Sequence, residues 1–248
     1  MSNRLAIVLA AGKGTRMESD LPKVLVEVCG RPMIRYVVEA LATAAVDAIC
    51  VVVGYRGDEV RRELADLDHL VFVDQVPQLG TGHAVMVCRE HLTGWEGPVA
   101  VLTGDSPLVQ PDSLATLFGL YDQQRPACIL GTQHRDDPTG LGRIVRDTDG
   151  AFVGIVEEQD ADDEQRTITE VNMSTYVFDA AELVRCLESI ENDNRQGEYY
   201  LTDAPGILRK EGKDVRALPV LKPCEVLSIN TLEQLGVVEA EMKRMGYC

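Results

Sequence analysis

The sequence predicts an α/β fold in which a parallel sheet is flanked by helices, and three observations carry that reading. Apolar runs of strand length recur at RLAIVLA (4–10), DAICVVVG (47–54), HLVFVD (69–74) and PVAVLTGD (98–105). Each is followed, after a Gly-containing or acidic turn, by a stretch with helical spacing. Finally, 248 residues of which 45% are hydrophobic suffice to bury a large core. Strand alternating with helix means a parallel sheet covered on its faces, and a doubly wound sheet binds its ligand at the carboxyl ends of the strands.

The elements follow in order. LAIVLAA (5–11) resembles a short signal-peptide core, but Gly12, Lys13, Gly14 and Arg16 follow where a small-residue cleavage site belongs, so it reads as a buried strand. Helices are predicted over 31–45, 57–67, 81–92 and 111–124, the first and last with Pro near the start, where a missing N–H costs nothing. After about residue 125 shorter strands are expected at 127–133, 142–147, 151–158 and 170–178, separated by Asp-rich and Gly-rich turns, as antiparallel additions to the sheet. Helices over 180–190, about 203–211 and 231–245 complete the chain. No linker divides it, so one domain is expected over 1–248: a nucleotide-binding part (about 1–125), a sugar-binding part (about 126–230) and a C-terminal helix (231–245).

Composition narrows the partners. A net charge of −16 argues against nonspecific binding of nucleic acid or of an anionic membrane, and no apolar run reaches the roughly 20 residues of a spanning helix. Seven cysteines at irregular spacing, without a CxxC pair, suggest neither a disulfide framework nor a zinc site, and a reducing cytoplasm fits them best. Residues 1–35 nevertheless carry six cations against three anions. Charge alone leaves two readings of that basic corner open: a solvated surface, or a place for a small anionic ligand. Nothing in the sequence sets the oligomeric state.

The stretch LAAGKGTRM (9–17) sits where a strand ends, so its backbone N–H groups are available to an anion, and Gly12 and Gly14 permit close approach. It is neither a P-loop nor the dinucleotide fingerprint, because Gly-x-x-x-x-Gly-Lys is absent and Met17 stands at the third glycine. Glycines alone fit a plain turn equally well. Lys13, Arg16 and Lys23 shift the balance toward phosphate, and Pro22 fixes the backbone that presents Lys23.

LAAGKGTRM followed by DLPKVL resembles the signature of sugar nucleotidyltransferases, closest to the uridylyltransferase domain of bacterial N-acetylglucosamine-1-phosphate enzymes. The resemblance continues through QVPQLGTGHA, GDSPL, TGLGRIVRD, IVEEQDA, EVN, GEYYLTD and SIN, in the family's order over nearly the whole chain. It implies a Rossmann-like nucleotidyltransferase fold with an antiparallel sugar-binding lobe, and transfer of UMP from UTP to a hexosamine 1-phosphate. No hexapeptide repeat of the family's bifunctional members occurs within these residues.

The resemblance also implies a site. Leu9, Ala10, Ala11, Gly12 and Gly14 would line the phosphates, with Arg16 and Lys23 as the catalytic cations. Asp105, at the end of an apolar strand, is the first choice for a Mg²⁺ ligand, since a hard cation prefers a carboxylate; it also reads simply as a turn residue. Asn230 would be the second ligand, though before Thr231 it reads equally as the edge of a helix start. Thr103 and Gly104 accompany Asp105. Gln75, which can donate and accept at once, and the backbone of Gly80 and Thr81 would read the base, with His83 as a helix residue. Gly142, Glu157 and Asn172 would hold the sugar, Glu157 and Glu158 being one register apart. Ser174 stands where the family has glycine, and Leu141 where it has tyrosine, so another hexose phosphate stays open as substrate. A non-catalytic sugar-nucleotide-binding subunit is the rival from another class; Arg16, Lys23 and Asp105, which such a descendant would be expected to lose, are all present.

Overall fold

A computed structural model describes residues 3–14, 17 and 20–248. Its elements run β1 (Leu5–Ala10), β2 (Glu27–Val28), β3 (Arg31–Pro32), α1 (Met33–Thr43), β4 (Ala48–Val53), α2 (Gly57–Glu63), β5 (Leu70–Asp74), α3 (Thr81–Met86), α4 (Arg89–Leu92), β6 (Pro98–Thr103) and α5 (Pro111–Gln124). The second part adds β7 (Cys128–His134), β8 (Arg143–Arg146), β9 (Phe152–Val156), β10 (Glu170–Asp179), α6 (Ala180–Leu187), α7 (Asp203–Lys210), β11 (Val215–Leu218) and α8 (Leu232–Arg244).

One mixed sheet runs in the order β11-β7-β10-β6-β1-β4-β5, with β8 and β9 attached beside β10. β6, β1, β4 and β5 are mutually parallel, whereas β10 runs antiparallel to β6, β7 and β8. The expected α/β architecture with antiparallel additions is therefore the one found. Helices cover both faces. Leu5 and Ile7 of β1 point into one core with α6 and α7, while Ala6, Val8 and Ala10 point into the other with α1 and α5. Burial on both sides explains why β1, β4 and β6 read as unbroken apolar runs.

The chain winds from β1 outward through β4 to β5, then returns to place β6 on the other side of β1. That reversal leaves a crevice outside the carboxyl ends of β1 and β6. Leu9 pairs with Thr103 at its edge.

The differences from expectation are local. The helix expected over 81–92 is two short ones, broken at Val87 and Cys88. The hairpin β2–β3, turned by Cys29 and Gly30 at φ 51° and 72°, and the edge strand β11 were not foreseen. The cysteine reading needs correction, because Cys29 and Cys248 are joined by a disulfide. They lie 219 residues apart, so no spacing rule reveals them. α8 brings them together by burying Val238 and Met242 against Met17, Val28, Met33, Tyr36, Leu108 and Ile229.

Candidate active site

The end of β1 and the loop after it form one wall of the crevice. Leu9, Ala11 and Gly12 line a cavity of about 360 Å³ together with Lys23, Gln75, Gln78, Gly80, Thr81, Thr103, Asp105 and Glu198. Ala10 points its methyl into the core below, so only its backbone is on the site side. Gly14 is held at φ 69°, and a β-carbon there would stand 2.6 Å from Cβ of Lys23. The loop therefore needs glycine at this point to let the lysine stem pass. Arg16 lies outside the described residues. Lys13 turns toward Tyr55, its Nζ 5.2 Å from the ring centroid.

Lys23 opens a short 3-10 turn after Pro22, and its side chain reaches back across the crevice. Nζ donates to Asp105 Oδ2 and, at 2.6 Å, to Asn230 Oδ1. Asp105 stands two residues beyond the end of β6, and its carbonyl accepts from Ile229 N at 3.3 Å, which brings the 229–230 segment alongside. Asn230 is held in turn by α8: its N–H donates to Gln234 Oε1 at 2.7 Å, while Thr231 caps the helix through Gln234 N. Three residues separated by 82 and 207 positions thus converge on one point. Two oxygens meet there on a cation.

On the other wall, the backbone of 78–82 runs against 198–201. Tyr199 N donates to Leu79 O at 2.8 Å, Gly82 N to Tyr199 O at 2.7 Å, and Leu201 N to Thr81 Oγ1 at 3.0 Å. Gly80, at φ 106°, lies so close that a β-carbon would come within 2.5 Å of Tyr199 O. Gln75 is buried, and its Nε2 donates to Gly80 O at 2.9 Å and meets His83 Nδ1 at 3.2 Å. Its amide nitrogen is therefore already engaged within the protein. What Gln75 could offer a ligand is its carbonyl, not the full donor–acceptor pair that the residue type suggests. His83, read from sequence as an ordinary helix residue, orients that amide.

Across Asp105 lies a second cavity of about 190 Å³, lined among others by Thr103, Gly142, Glu157, Asn172, Ser174 and Asn230. Thr103 and Asp105 are common to both cavities, and a small space of about 50 Å³ between Thr81, Thr103, Glu157, Ser174 and Thr202 links them. The two neighbouring glutamates have different partners. Glu157 Oε1 accepts from Thr202 Oγ1 at 2.9 Å inside the site, whereas Glu158 pairs with the buried Arg143 at 2.6 Å and accepts from Gly140 N. Burial pushes the Glu157 carboxyl above its ordinary value, with the charges of Asp203 and Asp160 adding to it and the Thr202 hydrogen bond opposing. Gly142 O accepts from Asn172 N at 2.8 Å, tying these two residues together. Leu141 lines the same cavity, and its carbonyl accepts from Arg143. Gly104 packs under the crevice, its N–H on Leu9 O at 2.9 Å. Sequence reasoning missed Gln78, Glu198, Thr202 and Tyr176, whose places depend on which loops meet. A larger cavity of about 690 Å³ lies beside β9 and α7 and shares only Glu157 and Thr202 with these spaces.

Comparison with known proteins agrees with this geometry. The family described as "MobA-like NTP transferase domain" matches residues 6–197. Bifunctional protein GlmU of Pelotomaculum thermopropionicum is 45% identical over 239 residues, covering 96% of this chain and 52% of that protein. The protein of the same name from Heliobacterium modesticaldum is 45% identical over 243 residues, 98% of this chain and 53% of the relative. That from Brevibacillus brevis is 43% identical over 244 residues, with 98% and 52% covered. The chain spans about half the length of the curated relatives it matches. Among solved structures, a UDP-glucose pyrophosphorylase complexed with UDP-glucose superposes with a TM-score of 0.79 over 99% of this chain and 100% of that one; at 18% identity this likeness shows the fold.

Proposed function

The chain belongs to the MobA-like NTP transferase domain family, and on that premise we propose that it transfers UMP from UTP to N-acetylglucosamine 1-phosphate, releasing pyrophosphate. The observation that carries this reading is the pair of cavities meeting at Asp105, with a cation held there between two oxygen ligands. The larger suits a nucleotide and the smaller a sugar phosphate. The high identity to the GlmU proteins favours a uridylyl donor and a hexosamine acceptor. The parts 1–125 and 126–230 then act as one domain around a shared sheet.

In this mechanism a phosphate oxygen of the sugar 1-phosphate attacks the α-phosphorus of UTP in line, and pyrophosphate leaves opposite. The nucleophile is already an anion at neutral pH, so no covalent enzyme intermediate is needed and the barrier is chiefly repulsion between anions. Lys23, drawn onto phosphate from its place at Asp105, offsets charge at the α-phosphate, and Arg16 does so at the departing pyrophosphate. Gln75 and the Gly80–Thr81 backbone orient the base. Gly142, Glu157 and Asn172 orient the sugar.

Asp105 and Asn230 fit Mg²⁺: their oxygens are hard donors, and they already share a cation in the Lys23 ammonium. Among the described residues no group of three or more His, Cys, Asp or Glu is assembled for a metal, so an ion at Asp105 and Asn230 would need its other ligands from phosphate and water. Held by Asp105 and Asn230, Mg²⁺ would supply charge neutralisation for the reacting phosphates. The test is pyrophosphate release across a panel of nucleoside triphosphates and sugar 1-phosphates. UTP with N-acetylglucosamine 1-phosphate is expected to be the best pair, and absence of turnover with every pair contradicts the proposal.

A further inference from the structure

A primary amide offers an acceptor at one end and two donors at the other, so an asparagine in a binding cavity reads its ligand differently in each of its two orientations. Asn172 is tethered at both ends. Its Nδ2 donates to the phenol oxygen of Tyr176 at 2.7 Å, and its Oδ1 accepts from the Ser174 backbone N–H at 3.2 Å. The reversed amide would let the Tyr176 hydroxyl donate to Oδ1 but set its NH₂ against the Ser174 N–H, donor against donor, and lose that hydrogen bond. One orientation remains.

The tethers exist because β10 is irregular at this point. Asn172 pairs with Thr132 and Tyr176 with Leu130, so Met173, Ser174 and Thr175 stand opposite Gly131 alone. In a regular strand, residues four apart are separated by about 13 Å, too far for their side chains to hydrogen-bond. The bulge folds the strand enough for them to meet, with Ser174 in the left-handed region at φ 50°. A serine held there is costly for a residue with a β-carbon, which marks a segment shaped for its contacts. Tyr176 cannot adjust freely: it is 2% exposed, with its ring stacked on Phe178 at 5.7 Å. Burial, then the charge of Glu157, raises the pKa of the phenol, so it keeps its proton, although hydrogen bonds from Asn172 and Ser174 act the other way.

We propose that Tyr176 is a positioning residue for sugar recognition, which together with the Ser174 amide locks Asn172 in one orientation and fixes the hydrogen-bonding pattern that the smaller cavity presents. A locked amide penalises a sugar whose substituent mismatches it, whereas a free amide turns to suit either. The inference rests on reading the chain as a sugar-1-phosphate uridylyltransferase.

Tyr176→Phe keeps the ring and its stacking and removes only the hydroxyl. The KM for N-acetylglucosamine 1-phosphate is expected to rise about tenfold, with kcat and the KM for UTP little changed and preference over glucose 1-phosphate reduced by a similar factor. Wild-type KM and preference overturn the inference; so does a joint loss of kcat, both affinities and melting temperature, which is a merely structural effect. If the wild-type protein turns over no sugar phosphate, the functional reading falls by itself, and the lock is then judged by NMR on protein labelled with [¹⁵N]asparagine, the Asn172 signal being assigned from Asn172→Asp. A side-chain amide with one proton protected from exchange supports the lock. Exchange of both protons at the rate of a solvent-exposed amide overturns it, and this measurement needs no folded Tyr176→Phe.

Discussion

Lys23 bridges Asp105 and Asn230 where the proposed function would seat a divalent cation, which gives the residue two purposes in that proposal: it balances the Asp105 carboxylate when substrates are absent and would pair with phosphate when they are present. Its ammonium is mostly enclosed, with side-chain exposures of 14% for Lys23 and 18% for Asp105. Lys23→Ala is expected to lower kcat by roughly 10²–10³-fold with little change in melting temperature, and to tighten Mn²⁺ binding measured without nucleotide, because the competing cation is gone. Near-normal kcat rules out the role assigned to it. Glu157 has the opposite character: burial raises its pKa above the ordinary 4.5, so the folded state binds protons more tightly than the unfolded chain. The associated stability is fully present below about pH 4.5 and is lost as pH rises through the folded-state value. Glu157→Gln is therefore expected to melt above the wild type at pH 7 and together with it at pH 4, in thermal scans at the two pH values, at the expense of sugar affinity. A wild type more stable than the variant at pH 7 contradicts this assignment.

Elements decide how firmly those residues are held. Thr231 caps α8 by accepting from Gln234 N at 3.2 Å, while Gln234 accepts from Asn230 N. Thr231→Ala is expected to cost about 1 kcal/mol of stability and to weaken Mn²⁺ binding, since the same turn presents Asn230; denaturant titration and metal titration check the two effects separately. The long elements were legible in the sequence for physical reasons. β1, β4 and β6 are buried on both faces, and α5 carries Pro111 at its start and ends at Arg125 in the left-handed region. The short ones were not. β2 and β3 have two residues each, β11 is a four-residue edge strand, and no Gly or Pro marks the interruption of 81–92 at Val87 and Cys88. The bulge in β10 has no local signal either, because Ser174 is not a residue that announces a positive φ.

At the scale of the whole molecule, the sheet brings two cavities together at the point where its strand order reverses, and the site is built from segments spread from Leu9 to Asn230. Sequence motifs identified most of those segments, because glycine turns and strand-end carboxylates have local chemistry. They left the couplings unread: Lys23 with Asp105 and Asn230, the 78–82 and 198–201 backbones joined edge to edge, Tyr176 on Asn172, and the disulfide from Cys29 to Cys248. Each depends on long-range packing that no window of sequence contains. In the proposed reaction, group transfer takes place at Asp105 between the contents of the two cavities. It is tested most directly by incubating the protein with α-³²P-labelled UTP, N-acetylglucosamine 1-phosphate and Mg²⁺ and following the label. The label is expected to move into UDP-N-acetylglucosamine with one pyrophosphate released per transfer, and Asp105→Ala to abolish the movement. Label that stays in UTP with the wild-type protein, or transfer undiminished in Asp105→Ala, contradicts it.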